Sequence, residues 1–550
     1  MDRNPEQLSD KTYDVLVVGG GIYGVCVAWD AALRGLSVAL VEKGDFGHAT
    51  SSNSLRIIHG GFRYLQHGLI RRMRQLIHER AAFMRIAPHL VHPLPFLIPT
   101  YRNLMRSKEA LNLALLANDL VGFDRNHLAD PQKRLPRGRV ISREECLAIA
   151  PGLEEKDLTG AAIVYDSQMS NSERLVMSFA RSASQSGADL ANYVEVTGLL
   201  ADKGKVAGVK AKDRLKGNDL DIRARFVVNT SGPWLDRVAN LLQGDRSRPM
   251  QTLSKAFNIL VNCQWVPEYA VGVYGKRAFR DQEALLNKGS RLFFITPWQK
   301  RSLIGTAHLP YDAHPDGLRM TEEEIEGFLA EINDAYPAAG LKRQDVAYVF
   351  GGLVPMVKNG HRTADVQLMK RYLIHDHQRE HGGEGLISVS SVKYTEARHV
   401  AEKVVNLIFE KLGKKAPSCR TAITPLHGGQ IEQFDSYVNE QVRRNSLPEH
   451  IVRRLILQYG TAYAEVLKSF DSHTEGMTDT SRVMKAEVLH AVRKEMAQKL
   501  ADVVFRRTGS GMTGNPGEAC LRSCAAVMAE ELGWDDMRVQ KEVEEVSALF

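Results

Sequence analysis

With 550 residues, 44% of them hydrophobic and 25% charged, the chain is long enough for two or three domains and has the composition of a folded protein, which excludes extended disorder. No run of about 18 apolar residues occurs and Met1 to Thr12 is polar, so neither a membrane-spanning helix nor a signal peptide is expected. A formal charge of +7 and a pI near 8.9 suit anionic partners, but the charge is spread along the chain without a nucleic-acid motif, which leaves phosphorylated small molecules and acidic lipid surfaces.

The stretch from Tyr13 to Glu42 reads as strand, glycine turn, helix, strand and acid. Val15 to Val18 is an apolar run of strand length that breaks at Gly19-Gly20-Gly21. Val25, Val27, Ala28, Ala31 and Ala32 then carry a helical pattern to a stop at Gly35, and Ser37 to Val41 makes a second strand. In that context Gly19-x-Gly21-x-x-Gly24 has a physical use. The first glycine allows the tight turn, the second lets a pyrophosphate approach the backbone, and the third lets helix and strand pack closely, while free N–H groups at the helix start face the phosphates. Glu42 is placed to accept hydrogen bonds from a ribose. The pattern specifies a dinucleotide, NAD or FAD.

Ala49 to Leu65 is the densest motif. Thr50, Ser51 and Ser52 can hydrogen-bond a cofactor's phosphate and ribitol, and His59-Gly60-Gly61 sets a polar ring beside backbone that can approach a flat ring system. A Ser/Thr-capped helix followed by a glycine turn is an equal reading of these residues alone. This block, the glycine segment, Val228-Asn-Thr-Ser-Gly-Pro-Trp234, and Ile295-Thr-Pro-Trp298 with Leu303-Ile-Gly-Thr306 resemble, in order and spacing, the FAD-dependent glycerol-3-phosphate dehydrogenases. The resemblance covers Tyr13 to Leu532 and implies FAD as the cofactor. It also implies an α/β fold: a discontinuous Rossmann-like FAD-binding domain from segments 13–248 and 358–424, an antiparallel-sheet substrate domain at 249–357, and a C-terminal helical domain at 425–550.

Within the first segment, Leu69-Ile-Arg-Arg-Met-Arg-Gln-Leu-Ile77 interleaves basic and apolar residues and leads into the proline-broken run Pro93 to Pro99. Such a helix suits an anionic membrane surface or a solvated face; the family's respiratory members, peripheral membrane enzymes that pass electrons to quinone, favour the former. A helix from Ser172 to Gly187 and strands near Leu190 to Val196, Lys205 to Lys212 and Ile222 to Val228 lead into Asn229-Thr230-Ser231-Gly232. By resemblance, Ser231 and Gly232 close over the adenylate half of FAD. Strands such as Phe257 to Val261 and Leu292 to Ile295, an acidic helix from Thr321 to Asp334, a buried strand from Gly385 to Val389 and a helix from Thr395 to Leu412 follow. Beyond Pro425 the chain reads as helical, with Val488, Leu489, Val492, Met496, Leu500, Val503 and Val504 at helical spacing up to Gly509. That region reads as a cap or an assembly surface, compatible with an oligomer. The six cysteines are too scattered for a disulfide framework or a metal site, with Cys520 and Cys524 on neighbouring turns of one helix, and fit core packing in a cytoplasmic protein.

Oxidising a secondary alcohol with a flavin needs a hydride acceptor, a group that takes the hydroxyl proton, and cations that hold an anionic substrate. Arg63, Tyr64 and Lys393 match the family's substrate-contacting residues, and Lys255 also aligns. Three positions depart: Asn258 replaces a histidine suited to general-base work, Val354 replaces a phosphate-binding arginine, and Ser391-Val392-Lys393 replaces a Gly-Gly-Lys turn. His308 is the hypothetical replacement base, against the reading of an exposed loop histidine. The expected activity is oxidation of glycerol 3-phosphate, a small phosphorylated polyol, to dihydroxyacetone phosphate with electrons passing to quinone, in the cytoplasm at the inner face of the cell membrane. The alternatives are a divergent oxidoreductase or oxidase acting on another hydroxy or amino compound, and a non-catalytic FAD-binding protein.

Overall fold

The computed structural model describes the chain except residues 63, 65–67, 103–107, 244–248, 279–288, 358–365, 379–382 and 470–477. The apolar run at the start is strand β1 (Thr12–Val18), central in its sheet and parallel to a strand on each side: β2 (Val38–Val41) and the strand Asp219–Asn229. Helix α1 (Ile22–Leu33) joins β1 to β2 as a βαβ crossover and buries nearly all of its length. The sheet extends through Asp189–Ala191 on one side and Leu386–Ser390 on the other, both parallel, and ends on the antiparallel edge strand Leu373–Asp376. An antiparallel hairpin, Val194–Asp202 with Lys205–Asp213, adds onto Asp219–Asn229.

The second sheet has nine strands in the order 346–356, 252–261, 301–311, 290–298, 270–278, 91–101, 158–169 and 57–58, with 139–142 paired to 158–169. It is antiparallel except where 270–278 meets 91–101. Four of its strands come from residues 57–169, so the sheets interleave along the chain and the expected boundary at 248/249 is not where they divide. The reason lies in Val91–Tyr101. Leu97 packs into one core with Phe257 and Val271, and Phe96 and Ile98 pack into another with Leu115. A strand buried on both faces shows no alternation, and its prolines at 93, 95 and 99 make it read as broken chain.

The basic stretch expected to meet solvent or lipid lies in helix α2 (Ile70–Ile86). Met73, Leu76 and Ile77 are buried, Arg72 pairs with Glu396, Arg74 makes a bidentate pair with Asp124 at 2.8 Å, and Arg80 pairs with Asp166. Ile70 at the start of α2 is 44% exposed, but a larger group of exposed apolar side chains is on the next helix, α3 (Lys108–Val121), where Leu113, Leu116 and Leu120 are 70, 61 and 79% exposed, followed by Phe123 at 74%. Among the described residues no helix is long and apolar enough to cross a membrane, and no cluster of side chains could hold a metal ion.

The C-terminal part is helical, but the apolar series from Val488 to Val504 is not one helix. Helix Asp479–Glu495 stops at Met496, whose φ is +55°, and a π-helical turn occupies Asp502–Arg507. The stop is made by side chains from elsewhere that capture the terminal carbonyls: Arg181 donates to Lys494 O, Arg507 to Glu495 O and Asn192 to Met496 O. The cysteines are unpaired, and Cys26, Cys146 and Cys524 are buried.

Three histidines tie this packing to pH. Burial, reinforced by Lys133, Lys403 and Arg181 respectively, pushes the rings of His92, His399 and His427 down from 6.5 to about 3, about 4 and about 3. An unfolded chain protonates these rings below its ordinary pKa while the native chain does not, so native stability is complete above about pH 6.5 and falls as the pH drops toward 4. Each ring contributes at most about 1.4 kcal/mol per pH unit. The melting temperature is therefore expected to fall steeply between about pH 6.5 and 4.5; a flat profile across that interval would contradict the neutral state of these rings.

Candidate active site

A cavity of about 830 Å³ runs between the two sheets. One end is built by consecutive backbone. Gly19 has φ +105°, a conformation open to glycine, and a Cβ on Gly24 would lie 1.8 Å from Gly19 O, so only glycine lets α1 start this close to β1. A Cβ on Gly21 would lie 3.1 Å from Ser51 Oγ, which itself accepts from Ile22 N–H at 3.0 Å in the first turn of α1. Glu42 accepts from Gly20 N–H at 2.7 Å and Gly44 N–H at 2.8 Å, which fixes its carboxylate at the cavity edge. Across the turn, Thr230 Oγ1 donates to Val18 O and Gly19 O, and Ser231 with Gly232 (φ +57°) completes the rim. A glycine turn that leaves its backbone open at the start of α1, rimmed by the hydroxyls of Ser51, Thr230 and Ser231 and opening into a cavity of this size, fits the pyrophosphate of a flavin dinucleotide.

Of the residues singled out in the sequence, Gly19, Gly21, Glu42, Thr50, Ser51, His59, Gly61, Tyr64, Ser231, Gly232, His308 and Lys393 line this one cavity. Gly24, Ser52 and Gly60 lie behind its wall: Ser52 Oγ donates to Gly47 O at 2.7 Å, and Gly60 N–H donates to Asp166 Oδ1 at 2.6 Å. Thr50 ties the wall to the second sheet, since its hydroxyl donates to Leu353 O at 2.9 Å. Arg63 lies outside the described residues.

Asp166 had no signature in the sequence. It holds His59 Nδ1 at 3.2 Å and pairs with Arg80, whose charge outweighs burial and lowers the carboxyl below its usual range. The carboxylate thereby orients the His59 ring. Tyr23 of α1 supports the other side, with its hydroxyl 2.7 Å from Ser391 Oγ and 2.5 Å from Lys393 O. Neither Ser391 nor Val392 has a positive φ, so this turn does not require the glycines that usually occupy it in the resembling family.

The far end carries the departures. Asn258 is buried; its Oδ1 accepts from Thr306 Oγ1 at 2.7 Å and fills the space a Cβ on Gly305 would take, which makes it a wall residue. Val354 lines the cavity beside Val366, Leu368 and Met369 as an apolar surface. Lys255 is turned away, its ammonium 2.6 Å from Glu324 Oε1 and 2.8 Å from Arg319 O. Lys393 Nζ sits 4.0 Å over the Tyr64 ring, and the Tyr64 hydroxyl donates to Lys370 O at 3.1 Å. Lys370 and Arg291 also line the cavity. No motif marks either of them; only their place on the wall does. His308 reaches it from strand 301–311, with Nδ1 3.5 Å from Ser254 Oγ.

The family model described as FAD dependent oxidoreductase matches residues 14–389, and that described as the C-terminal domain of alpha-glycerophosphate oxidase matches 419–539. The chain is 32% identical to a glycerol-3-phosphate dehydrogenase of Synechocystis sp., over 98% of this chain and 97% of the relative. It is 31% identical to the mitochondrial glycerol-3-phosphate dehydrogenase of Homo sapiens, over 97% of this chain and 72% of the relative. Among solved structures, the glycerol-3-phosphate dehydrogenase of Bacillus halodurans complexed with FAD superposes with a TM-score of 0.77 at 26% identity, covering 99% of this chain and 96% of that one. The L-alpha-glycerophosphate oxidase of Mycoplasma pneumoniae shares the fold at a TM-score of 0.51 and 17% identity, covering 75% and 98%.

Proposed function

Because this chain belongs to the FAD-dependent glycerol-3-phosphate dehydrogenase family, we propose that it oxidises the C2 hydroxyl of glycerol 3-phosphate to give dihydroxyacetone phosphate, with a quinone as the final acceptor. The observation that carries this reading is the continuity of one cavity from the Gly19–Gly24 cradle to the group formed by Tyr64, Lys370, Lys393 and His308. The Gly19–Gly24 turn with Glu42, Ser51 and Ser231 would hold FAD, which when bound would supply the two-electron acceptor. The chain supplies the rest: Lys393 and Lys370 set positive charge where a phosphate would lie, and His308 takes the hydroxyl proton. Val354 and Asn258 favour a second reading, the same machinery acting on another hydroxy or amino compound. Anaerobic mixing of the purified holoenzyme with glycerol 3-phosphate tests the choice. Bleaching of the oxidised-flavin band is expected, slowed roughly a hundredfold in His308→Ala. An unbleached flavin overturns the substrate; bleaching at an unchanged rate in the variant overturns the role of His308.

The peripheral membrane and quinone parts of the proposal rest on α3. Leu113, Leu116 and Leu120 form an exposed leucine face, while Leu111 on the opposite side lines the cavity with Phe62, Phe96 and Ile98. A helix that is apolar both toward solvent and toward the site suits a lipid surface from which a quinone reaches the flavin end. The double variant Leu116→Glu, Leu120→Glu is expected to weaken partitioning onto anionic vesicles by about a thousandfold, since the burial of each leucine is worth about 2 kcal/mol and the two together about 4 kcal/mol, while keeping its flavin. Equal sedimentation of wild type and variant would remove α3 as the anchor.

A further inference from the structure

A buried ionic assembly of the C-terminal part is bonded to the loop that follows Glu42, although no described residue of that part lines the cavity. Asp45 is 1% exposed and Arg507 is 0% exposed, and the two form a bidentate pair at 2.7 and 2.8 Å. Arg506 Nε donates to the same carboxylate at 2.6 Å and Asn192 Nδ2 at 3.1 Å. The π-helical turn, closed by Thr508 N–H to Val503 O at 2.9 Å, delivers two successive guanidiniums to one carboxylate. Arg506 also meets Asp502 at 2.6 Å, and Asp502 accepts from the Tyr193 hydroxyl at 2.6 Å. Burial works against the charge on Asp45, but Arg507 and Arg506 outweigh it and hold the carboxyl well below its usual range.

What these contacts fix is the loop carrying Glu42 and Ser51. Glu42 and Gly44 hang by backbone bonds from Ala191, Tyr193 and Val194, and Gly47 N–H returns to Gly20 O at 3.0 Å. The C-terminal part grips both supports at once, Asp45 within the loop and Asn192–Tyr193 behind it. Without the two arginines the loop would hold a buried, uncompensated carboxylate three residues from the ribose-binding Glu42.

We infer that Arg506 and Arg507 are positioning residues for the cofactor: from the C-terminal part, through Asp45, they hold the 42–52 loop in its binding conformation before FAD arrives. The inference rests on the FAD reading above. The part of the chain that carries no chemistry thereby sets cofactor affinity, because a loop that must be ordered during binding subtracts that ordering from affinity.

The test compares the FAD dissociation constant of deflavinated protein, read by flavin fluorescence, with the melting temperature of the same apoprotein. Arg507→Met is expected to weaken FAD binding by roughly tenfold or more. Arg507→Lys keeps the charge and should recover part of the loss. Arg181→Gln is the control: it breaks the ties to Lys494 O and Glu465, which belong to the same interface but touch no residue of the loop. It should lower the melting temperature and leave the FAD constant within about twofold. Where Arg507→Met does not fold, Tyr193→Phe removes only the bond to Asp502 and is expected to weaken FAD binding to a smaller extent. Equal FAD constants in wild type, Arg507→Met and Tyr193→Phe, or a loss in Arg181→Gln matching that in Arg507→Met at the same melting temperature, would overturn the inference. A wild type that binds no FAD at all would instead overturn the reading beneath it.

Discussion

Gly24→Ala is expected to yield a protein purified without flavin, with FAD affinity reduced by roughly a hundredfold or more, about 3 kcal/mol or greater. The added methyl would sit 1.8 Å from Gly19 O and 2.8 Å from Thr230 Oγ1. Neither atom can give way cheaply. Gly19 O is backbone in the turn that ends β1, and the Thr230 hydroxyl already bridges Val18 O and Gly19 O. Relief therefore requires α1 to withdraw from β1, which moves its first N–H groups away from the phosphates they would face. Gly21→Ala is the useful contrast, because its methyl would meet only Ser51 Oγ, at 3.1 Å. That variant should fold with an unchanged melting temperature and lose affinity only through the phosphate's approach. Absorbance of the purified proteins and FAD titration of their apo forms separate the two; a Gly24→Ala protein carrying stoichiometric flavin would refute the packing argument.

Lys393→Met is expected to keep its flavin and to lose about a hundredfold in the rate of flavin reduction, near 3 kcal/mol of transition-state stabilisation. The side chain lies over the Tyr64 ring at 4.0 Å, which holds its stem in place, while the turn that carries it is pinned through its backbone by Tyr23. Methionine preserves the length and apolar contact of that stem, so the loss reports the charge alone. Single-turnover reduction under anaerobic conditions measures it. An unchanged rate would transfer the anion-holding role to other cations such as Lys370 and Arg291, which also line the cavity.

The central βαβ unit and its acid were legible because every part of that signal is local. The strand run, the three glycines, the helix stop and Glu42 are neighbours in sequence, and their spacing is set by the geometry of one turn. The second sheet was legible only in its later half. Val91–Tyr101 is apolar on both faces and carries three prolines, so neither alternation nor composition marked it as a strand at the heart of the sheet. The same limit affected the basic stretch of α2, where the spacing of arginine and leucine did not reveal that Glu396 and Asp124 would pair with Arg72 and Arg74 from other elements and leave Arg71 exposed. Helix Asp479–Glu495 ends where it does because side chains of Asn192, Arg181 and Arg507 take its last carbonyls, and no residue near Met496 announces that.

The sequence by itself determined the cofactor cradle, the order of the blocks that identify the family, and the substitutions at positions 258 and 354. Each of these is a property of a short run of residues. Tertiary structure alone decided which charges are available to a substrate, which face of which helix is apolar to solvent, and what steadies the loop of Glu42. Those depend on pairs such as His59 with Asp166, 107 positions apart, and Arg507 with Asp45, 462 positions apart. Their meeting is fixed by how two interleaved sheets and a helical C-terminal part close on one another, and a buried guanidinium carries no local mark of the carboxylate it will find.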